Sequence, residues 1–197
     1  VATQVQRLME EFPPYFVSVA TVSVPENQVL AIDVNASDPE GDTLVYSLIP
    51  GGDSSKFYLN TSSGGLTFQS PPDFENPDSV VGSNTYTLTV GVTDGTAPVT
   101  LALTINVTDW NDPPVFNSSA TISVSENQVL AIDVNASDPE GTALVYALAG
   151  GADQGRFSID SSTGVLTFKS PPDYEANASV AGDNAYAVTV ETTDGVS

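Results

Sequence analysis

Ser23-Val24-Pro25-Glu26-Asn27-Gln28-Val29-Leu30-Ala31-Ile32-Asp33-Val34-Asn35-Ala36-Ser37-Asp38-Pro39-Glu40-Gly41 returns as Ser123 to Gly141 with one change, Ser125 in place of Pro25. The spacing between the two copies is 100 residues, and the rest of each half keeps it. Leu44-Val45-Tyr46 recurs as Leu144-Val145-Tyr146, Phe57 as Phe157, and Leu66-Thr67-Phe68 as Leu166-Thr167-Phe168. Pro71-Pro72-Asp73-Phe74-Glu75 recurs at Pro171 to Glu175, and Thr93-Asp94-Gly95 at Thr193-Asp194-Gly195. Self-similarity at a fixed period marks tandem modules. A chain of 197 residues holds two of them, each long enough to bury its own core.

Within a module the apolar residues alternate, as in Tyr86-Thr87-Leu88-Thr89-Val90-Gly91-Val92 and Leu101-Ala102-Leu103-Thr104-Ile105-Asn106-Val107. That period belongs to half-buried strands. About seven short β-rich runs per module, separated by Gly, Pro, Asp and Ser clusters, predict an all-β fold of two immunoglobulin-like antiparallel sandwiches. The expected strands of the first module are 17–24, 29–34, 44–48, 57–59, 66–69, 85–92 and 100–107. Residues 1–14 read as an N-terminal extension, 15–112 as the first module with its linker at 109–114, and 115–197 as the second.

The second module stops just after Thr193-Asp194-Gly195, so it lacks a counterpart of strand 100–107. Shifted by the same period, residues 1–8 fall where the last strand of a preceding module would lie. One reading is a piece cut from a longer array. The other is donor-strand assembly, with residues 1–8 of one copy completing the second module of another in a head-to-tail filament. Val1, Thr3 and Val5 alternate suitably, whereas Arg7 takes an inward position; Val5, Leu8, Met9 and Phe12 would equally suit a short amphipathic helix.

Lys and Arg number 4 against 25 Asp and Glu, a formal charge of −21. This argues against nucleic acid or an anionic membrane as partner and makes divalent cations the natural counter-charge. The alternative is an acidic, soluble surface without specific sites. The chain has no Cys and no His, which removes thiol nucleophiles, imidazole bases, disulfides and most zinc or iron sites, leaving calcium, magnesium or no metal. No apolar run of about 18 residues is present to span a bilayer. The first residues lack the pattern of a signal peptide, so an export signal is expected to be removed or to lie outside this sequence.

Between the halves lies Asp109-Trp110-Asn111-Asp112-Pro113-Pro114. Asp and Asn offer hard oxygen donors suited to Ca²⁺, and the prolines fix φ and deny helix, so the stretch reads as a stiff acidic junction. Together with Glu26 in Pro25-Glu26-Asn27, Asp73-Phe74-Glu75, Asp138-Pro139-Glu140 and Asp194-Gly195, these residues resemble the cadherin repeat over about residues 15–197. Ser137-Asp138-Pro139-Glu140-Gly141 with Pro172-Asp173-Tyr174-Glu175 is more similar to bacterial cadherin-like repeats than to animal ones.

The resemblance implies up to three Ca²⁺ ions at the junction. Glu26, Asp73, Glu75 and Asp112 would surround a first ion. Glu26, Glu75, Asp109, Asp112, the Trp110 carbonyl and Glu140 would surround a second, and Asn111, Asp138, Glu140 and Asp194 a third. Glu140 stands where the family usually has a shorter Asp, the linker is one residue shorter than the common animal form, and Pro113 replaces the usual Asn, so two ions are as admissible as three. Eight gathered carboxylates would repel one another, at about 4 kcal/mol for each pair 4 Å apart at an effective dielectric near 20. Calcium, which takes six to eight oxygens at loosely set angles, would turn that repulsion into a rigid joint. The outer sets are incomplete: Asp38, Glu40 and Asp94 meet Met9-Glu10-Glu11-Phe12 in place of the acidic linker, and Glu126, Asp173 and Glu175 await a linker below.

Other signals carry less. Paired acids occur by chance in so acidic a chain, and no cleft, base or nucleophile marks an enzyme. Asn35, Asn106, Asn117 and Asn177 begin glycosylation sequons, with no modification expected. Trp110 reads as a side chain folded over the joint or as a sugar-stacking platform, and Tyr46, Tyr86, Phe57 and Phe68 as core. The functional expectation is a non-enzymatic extracellular or cell-surface module, a calcium-stiffened spacer of an adhesin or filament. The alternatives are a carbohydrate-binding or cell-cell adhesion module and the accessory domain of a secreted enzyme.

Overall fold

The structure, a computed structural model, describes residues 11–96 and 98–196. The chain divides into two compact units, Val1–Trp110 and Asn111–Ser197, each with its own core. The donor-strand reading of residues 1–8, and Met9-Glu10 of the upper linker, lie outside the described residues.

Among its described residues the first unit holds nine strands: β1 (Tyr15–Phe16), β2 (Thr21–Pro25), β3 (Leu30–Asp33), β4 (Ala36–Ser37), β5 (Val45–Ile49), β6 (Phe57–Leu59), β7 (Gly65–Phe68), β8 (Thr85–Thr93) and β9 (Val99–Thr108). One sheet runs β2-β9-β8-β5, with β2 parallel to β9 and the other pairs antiparallel; a second runs β3-β7-β6. The alternation in the sequence sets which side is buried. Tyr86, Leu88, Val90 and Val92 of β8, with Leu103, Ile105 and Val107 of β9, meet Ala31, Phe57, Leu66 and Phe68 of the other sheet. Each such side chain contributes about 1.5–3 kcal/mol when fully withdrawn from water. Phe57, Phe68 and Tyr86 form an aromatic knot, the two phenyl rings 4.6 Å apart and tilted, with Tyr86 edge-on to both.

Most expected strands are present within a residue or two of their predicted limits. The run 17–24 differs, for only its second half is strand, as β2, while β1, which pairs with β4, lies just before it. The chain changes sheets at Val17 and Ser18, whose N–H groups both donate to the Asn35 carbonyl while Ser18 Oγ accepts the Asn35 N–H. Asp53 escaped the sequence reading. It is 2% exposed, and its carboxylate accepts the N–H groups of Val80 at 2.5 Å and Thr87 at 2.7 Å. Asp153 does the same for Val180 and Ala187 in the second unit.

The second unit repeats the pattern as β10 (Val115–Phe116), β11 (Leu130–Asp133), β12 (Ala136–Ser137), β13 (Val145–Gly150), β14 (Phe157–Ile159), β15 (Val165–Phe168) and β16 (Thr189–Thr193). Its core of Val134, Tyr146, Phe157, Leu166 and Phe168 is smaller. Among the described residues no strand follows β16, and 121–125 is not a strand although its sequence copies β2.

The turn between β6 and β7 fixes one glycine in each unit. Gly64 has φ +77°, and a Cβ built there would lie 2.1 Å from the Val34 carbonyl oxygen; Gly164 repeats both features against Val134. The left-handed conformation costs a non-glycine residue about 1–2 kcal/mol, and the forced shift of backbone adds to it. Gly64→Ala is therefore expected to destabilise the first unit by at least about 2 kcal/mol in denaturant titration, and an unchanged midpoint would contradict this placement.

Candidate metal centre

In the first unit β2 ends at Pro25, and Asn27 turns the chain with φ 63°, its N–H held by the Pro72 carbonyl. This turn buries Glu26 to 3% exposure beneath the loop that carries Asp73 and Glu75. Glu26 Oε2 accepts the Phe74 N–H at 2.7 Å, and Oε1 accepts the Trp110 N–H at 2.9 Å. One carboxylate thus fastens both the loop and the linker. Carboxylate oxygens of Glu26, Asp73 and Glu75 lie within 4.8 Å of one another, where like charges repel by about 3–4 kcal/mol per pair at an effective dielectric of 20. Asp73 and Glu75 are exposed, as is Asp109. Trp110 is 66% exposed.

In the second unit the linker residues Asn111 and Asp112 meet the loops carrying Asp138, Glu140 and Asp194. Asn111 Nδ2 donates to Asp194 Oδ2 at 2.7 Å, and the Asp112 N–H donates to Glu140 Oε1 at 3.1 Å. Asp138 Oδ1 accepts the Thr142 N–H at 2.8 Å, and Asp194 Oδ1 accepts that of Val196 at 2.8 Å. The Asn111 amide, with the Val196 N–H second, holds the Asp194 carboxyl below the usual Asp range. Glu140, long where the resemblance implies a shorter acid, uses its extra reach to bind the linker backbone.

The same geometry recurs at the other ends of the two units. In the first, Asp38 Oδ1 accepts the N–H groups of Glu40 and Asp42 at 2.9 Å each, and Asp94 Oδ1 accepts the Thr96 N–H and hydroxyl. Phe12 donates its N–H to Glu40 Oε2 at 3.3 Å, the contact that Asp112 makes with Glu140, although residues 9–12 lack the linker acids. In the second, Glu126, Asp173 and Glu175 gather within 4.8 Å, and Glu126 Oε2 accepts the Tyr174 N–H.

The residues present fit a hard divalent cation. All donors are oxygen, and the described basic side chains are engaged elsewhere, Lys56 with Asp78, Arg156 with Asp153 and Lys169 with the Gly155 carbonyl. Six buried side-chain atoms have no hydrogen-bond partner among the described residues, and four of them belong to these acids: Asp38 Oδ2, Asp94 Oδ2, Asp138 Oδ2 and Glu140 Oε2. A buried carboxylate oxygen without a donor is costly unless a cation meets it. The sequence reading passed over Asn84 and Asn184, whose amides donate to the Phe74 and Tyr174 carbonyls at 2.8 and 2.9 Å and so position the Asp-x-Glu loops. Their recurrence at the repeat spacing was the available signal.

Two β-sandwich units in tandem, each carrying acidic loops at its ends, define a pair of cadherin-like domains. A family profile described as bacterial Ig domain matches residues 11–108 and 111–197, and the chain belongs to that family. It is similar to mouse cadherin-related family member 2, 30% identical over 191 residues and 89% of this chain. It is also similar to chitinase A of Pseudoalteromonas piscicida, 30% identical over 177 residues and 89% of this chain. The chain spans 14% and 19% of these relatives' lengths. The fold is shared with crystal structures of human protocadherin-24 EC1-2 (TM-score 0.53, 20% identity, 92% of this chain and 86% of that one) and the human desmocollin-1 ectodomain (TM-score 0.55, 23% identity, 93% and 38%).

Asn111→Ala should therefore raise the Asp194 pKa toward the ordinary Asp value, read as the carboxyl carbon titration by NMR in calcium-free buffer. An unmoved midpoint would show that Asn111 does not act on Asp194.

Proposed function

We propose that this chain is a non-enzymatic, extracellular or cell-surface structural and adhesion module whose two domains are stiffened by calcium. The observation that carries the reading is the set of buried carboxylate oxygens without donors at Asp138 and Glu140, in the unit to which Asn111 and Asp112 belong. The Glu26, Asp73 and Glu75 cluster at the end of the preceding unit supports it. Two to three ions would be held by Glu26, Asp73, Glu75, Asp109, the Trp110 carbonyl, Asn111, Asp112, Asp138, Glu140 and Asp194. The ions would supply the positive charge these acids lack. Loose coordination suits calcium over magnesium, which demands near-ideal octahedral geometry. Affinity of about 10⁻⁴ to 10⁻³ M, usual for extracellular modules, would fill the joint outside cells and empty it within.

The cadherin relatives support adhesion through copies of the same chain as the partner class. No helix among the described residues is long and apolar enough to cross a membrane. The absence of His and Cys removes the commonest bases and thiol nucleophiles, which supports a non-catalytic role. The match to a chitinase favours a second reading, an accessory or carbohydrate-binding module in which the exposed Trp110 offers a stacking face. A glycan array with and without chelator separates the two, since calcium-dependent sugar binding by this chain alone belongs to the second.

X-ray scattering of the chain should show a longer, stiffer particle in millimolar calcium and a broader distribution of lengths in chelator. Identical profiles in both buffers would refute the calcium joint.

A further inference from the structure

Three carboxylates of the first unit are held closer together than their charges favour. Oxygens of Glu26, Asp73 and Glu75 lie within 4.8 Å of one another, and Asp73 and Glu75 are exposed side chains on a loop outside any strand. Exposed acids on a loop move apart when nothing restrains them, since each close pair repels. The restraint on this pair comes through the residue between them, Phe74. Its ring packs against the core of the unit, its N–H donates to Glu26 Oε2 at 2.7 Å, and its carbonyl accepts Asn84 Nδ2 at 2.8 Å. Of the two hydrogen bonds, the first comes from one of the repelling acids. Only the second ties Phe74 to a neutral group outside the cluster. Asn84 stands one residue before β8, and its own carbonyl accepts the Val107 N–H of β9 at 2.8 Å. One residue thus joins the acidic loop to the strand that runs into Asp109. Asn84 Oδ1 is buried with no partner among the described residues, an unfavourable arrangement that packing alone does not require. Tyr174 of the second unit is gripped in the same way, by Glu126 at its N–H and Asn184 at its carbonyl.

We infer that Asn84 is a positioning residue of the cation site proposed above, holding Asp73 and Glu75 against their mutual repulsion in the arrangement that calcium meets. The inference rests on the calcium reading and concerns the first unit alone. An ion that finds its acids already gathered does not have to gather them, so the restraint appears as affinity. Without the Asn84 amide the loop relaxes outward in the ion-free state, and calcium must draw it back. The loss of one neutral hydrogen bond sets the scale at about fivefold weaker binding. Calcium then also stabilises the folded chain less at a given concentration, because that gain follows the ratio of free ion to dissociation constant.

The experiment is a calcium titration of the whole chain, followed at the Phe74 and Glu75 amide resonances by NMR and paired with urea unfolding in chelator. Asn84→Ala should bind calcium about fivefold more weakly at these resonances, and Asn84→Leu, which keeps the bulk of the side chain, should do the same. Tyr86→Phe controls for general loosening, because it removes a hydroxyl that donates to Asp78 of the same loop at 2.9 Å and leaves the charge unchanged. It should lower the urea midpoint while the calcium midpoint stays within about twofold of the unaltered chain. Unaltered calcium midpoints in both Asn84 variants would overturn the inference and leave the calcium reading standing. An equal loss of affinity in Tyr86→Phe would also overturn it, by showing that loop stability alone sets the affinity. No calcium response at Phe74 and Glu75 in the unaltered chain would overturn the inference together with the reading beneath it.

Discussion

The structure turns on how its acids divide their oxygens. At Asp38, Asp94, Asp138 and Glu140 one carboxylate oxygen takes a backbone N–H, which locks the loop, while the other is buried with no donor among the described residues. The first contact makes the loop rigid, and the second leaves a negative charge partly withdrawn from water. A chain with 25 acids and 4 bases cannot neutralise such groups from within, and its described bases sit elsewhere. Preorganised, under-neutralised oxygen donors are what a hard cation requires, and they cost stability without one.

Glu26 shows the same economy in another form. Both its oxygens hold backbone, one the loop of Asp73 and Glu75 and one the linker at Trp110. Glu126 repeats only the first contact, to Tyr174, and is exposed. The same residue in the same loop is buried where a strand like β9 leads into a linker and open where none is described.

Much of this was legible in the sequence because the repeat displays it twice. Alternation at 86–92 and 101–107 gave the inward faces of β8 and β9, and Phe57, Phe68, Tyr46 and Tyr86 are core as expected. The Glu26, Asp73 and Glu75 grouping was visible as oxygen donors at repeated positions, and the structure brings them together within the first unit. Three things were not legible. The break between β1 and β2, which leaves 17–20 outside both strands, is held by hydrogen bonds between Val17, Ser18 and Asn35, remote in sequence. Asp53 looked like one more surface acid, since nothing local reveals that the N–H groups of Val80 and Thr87 converge on it. The failure of 121–125 to form a strand contradicts its own sequence pattern, because propensity is satisfied only when a neighbour supplies hydrogen bonds.

The central claim, that the acids beside the linker hold calcium, can be tested with the chain's own spectroscopic label. Trp110 is the only tryptophan, and its backbone N–H rests on Glu26. Terbium takes the same oxygen donors as calcium and emits when a nearby indole is excited. Excitation of Trp110 should give strong terbium emission that calcium displaces, that equimolar magnesium leaves largely intact, and that Glu26→Gln with Asp112→Asn abolishes. Emission that is absent, or that persists in the double variant, would contradict a calcium site at the linker.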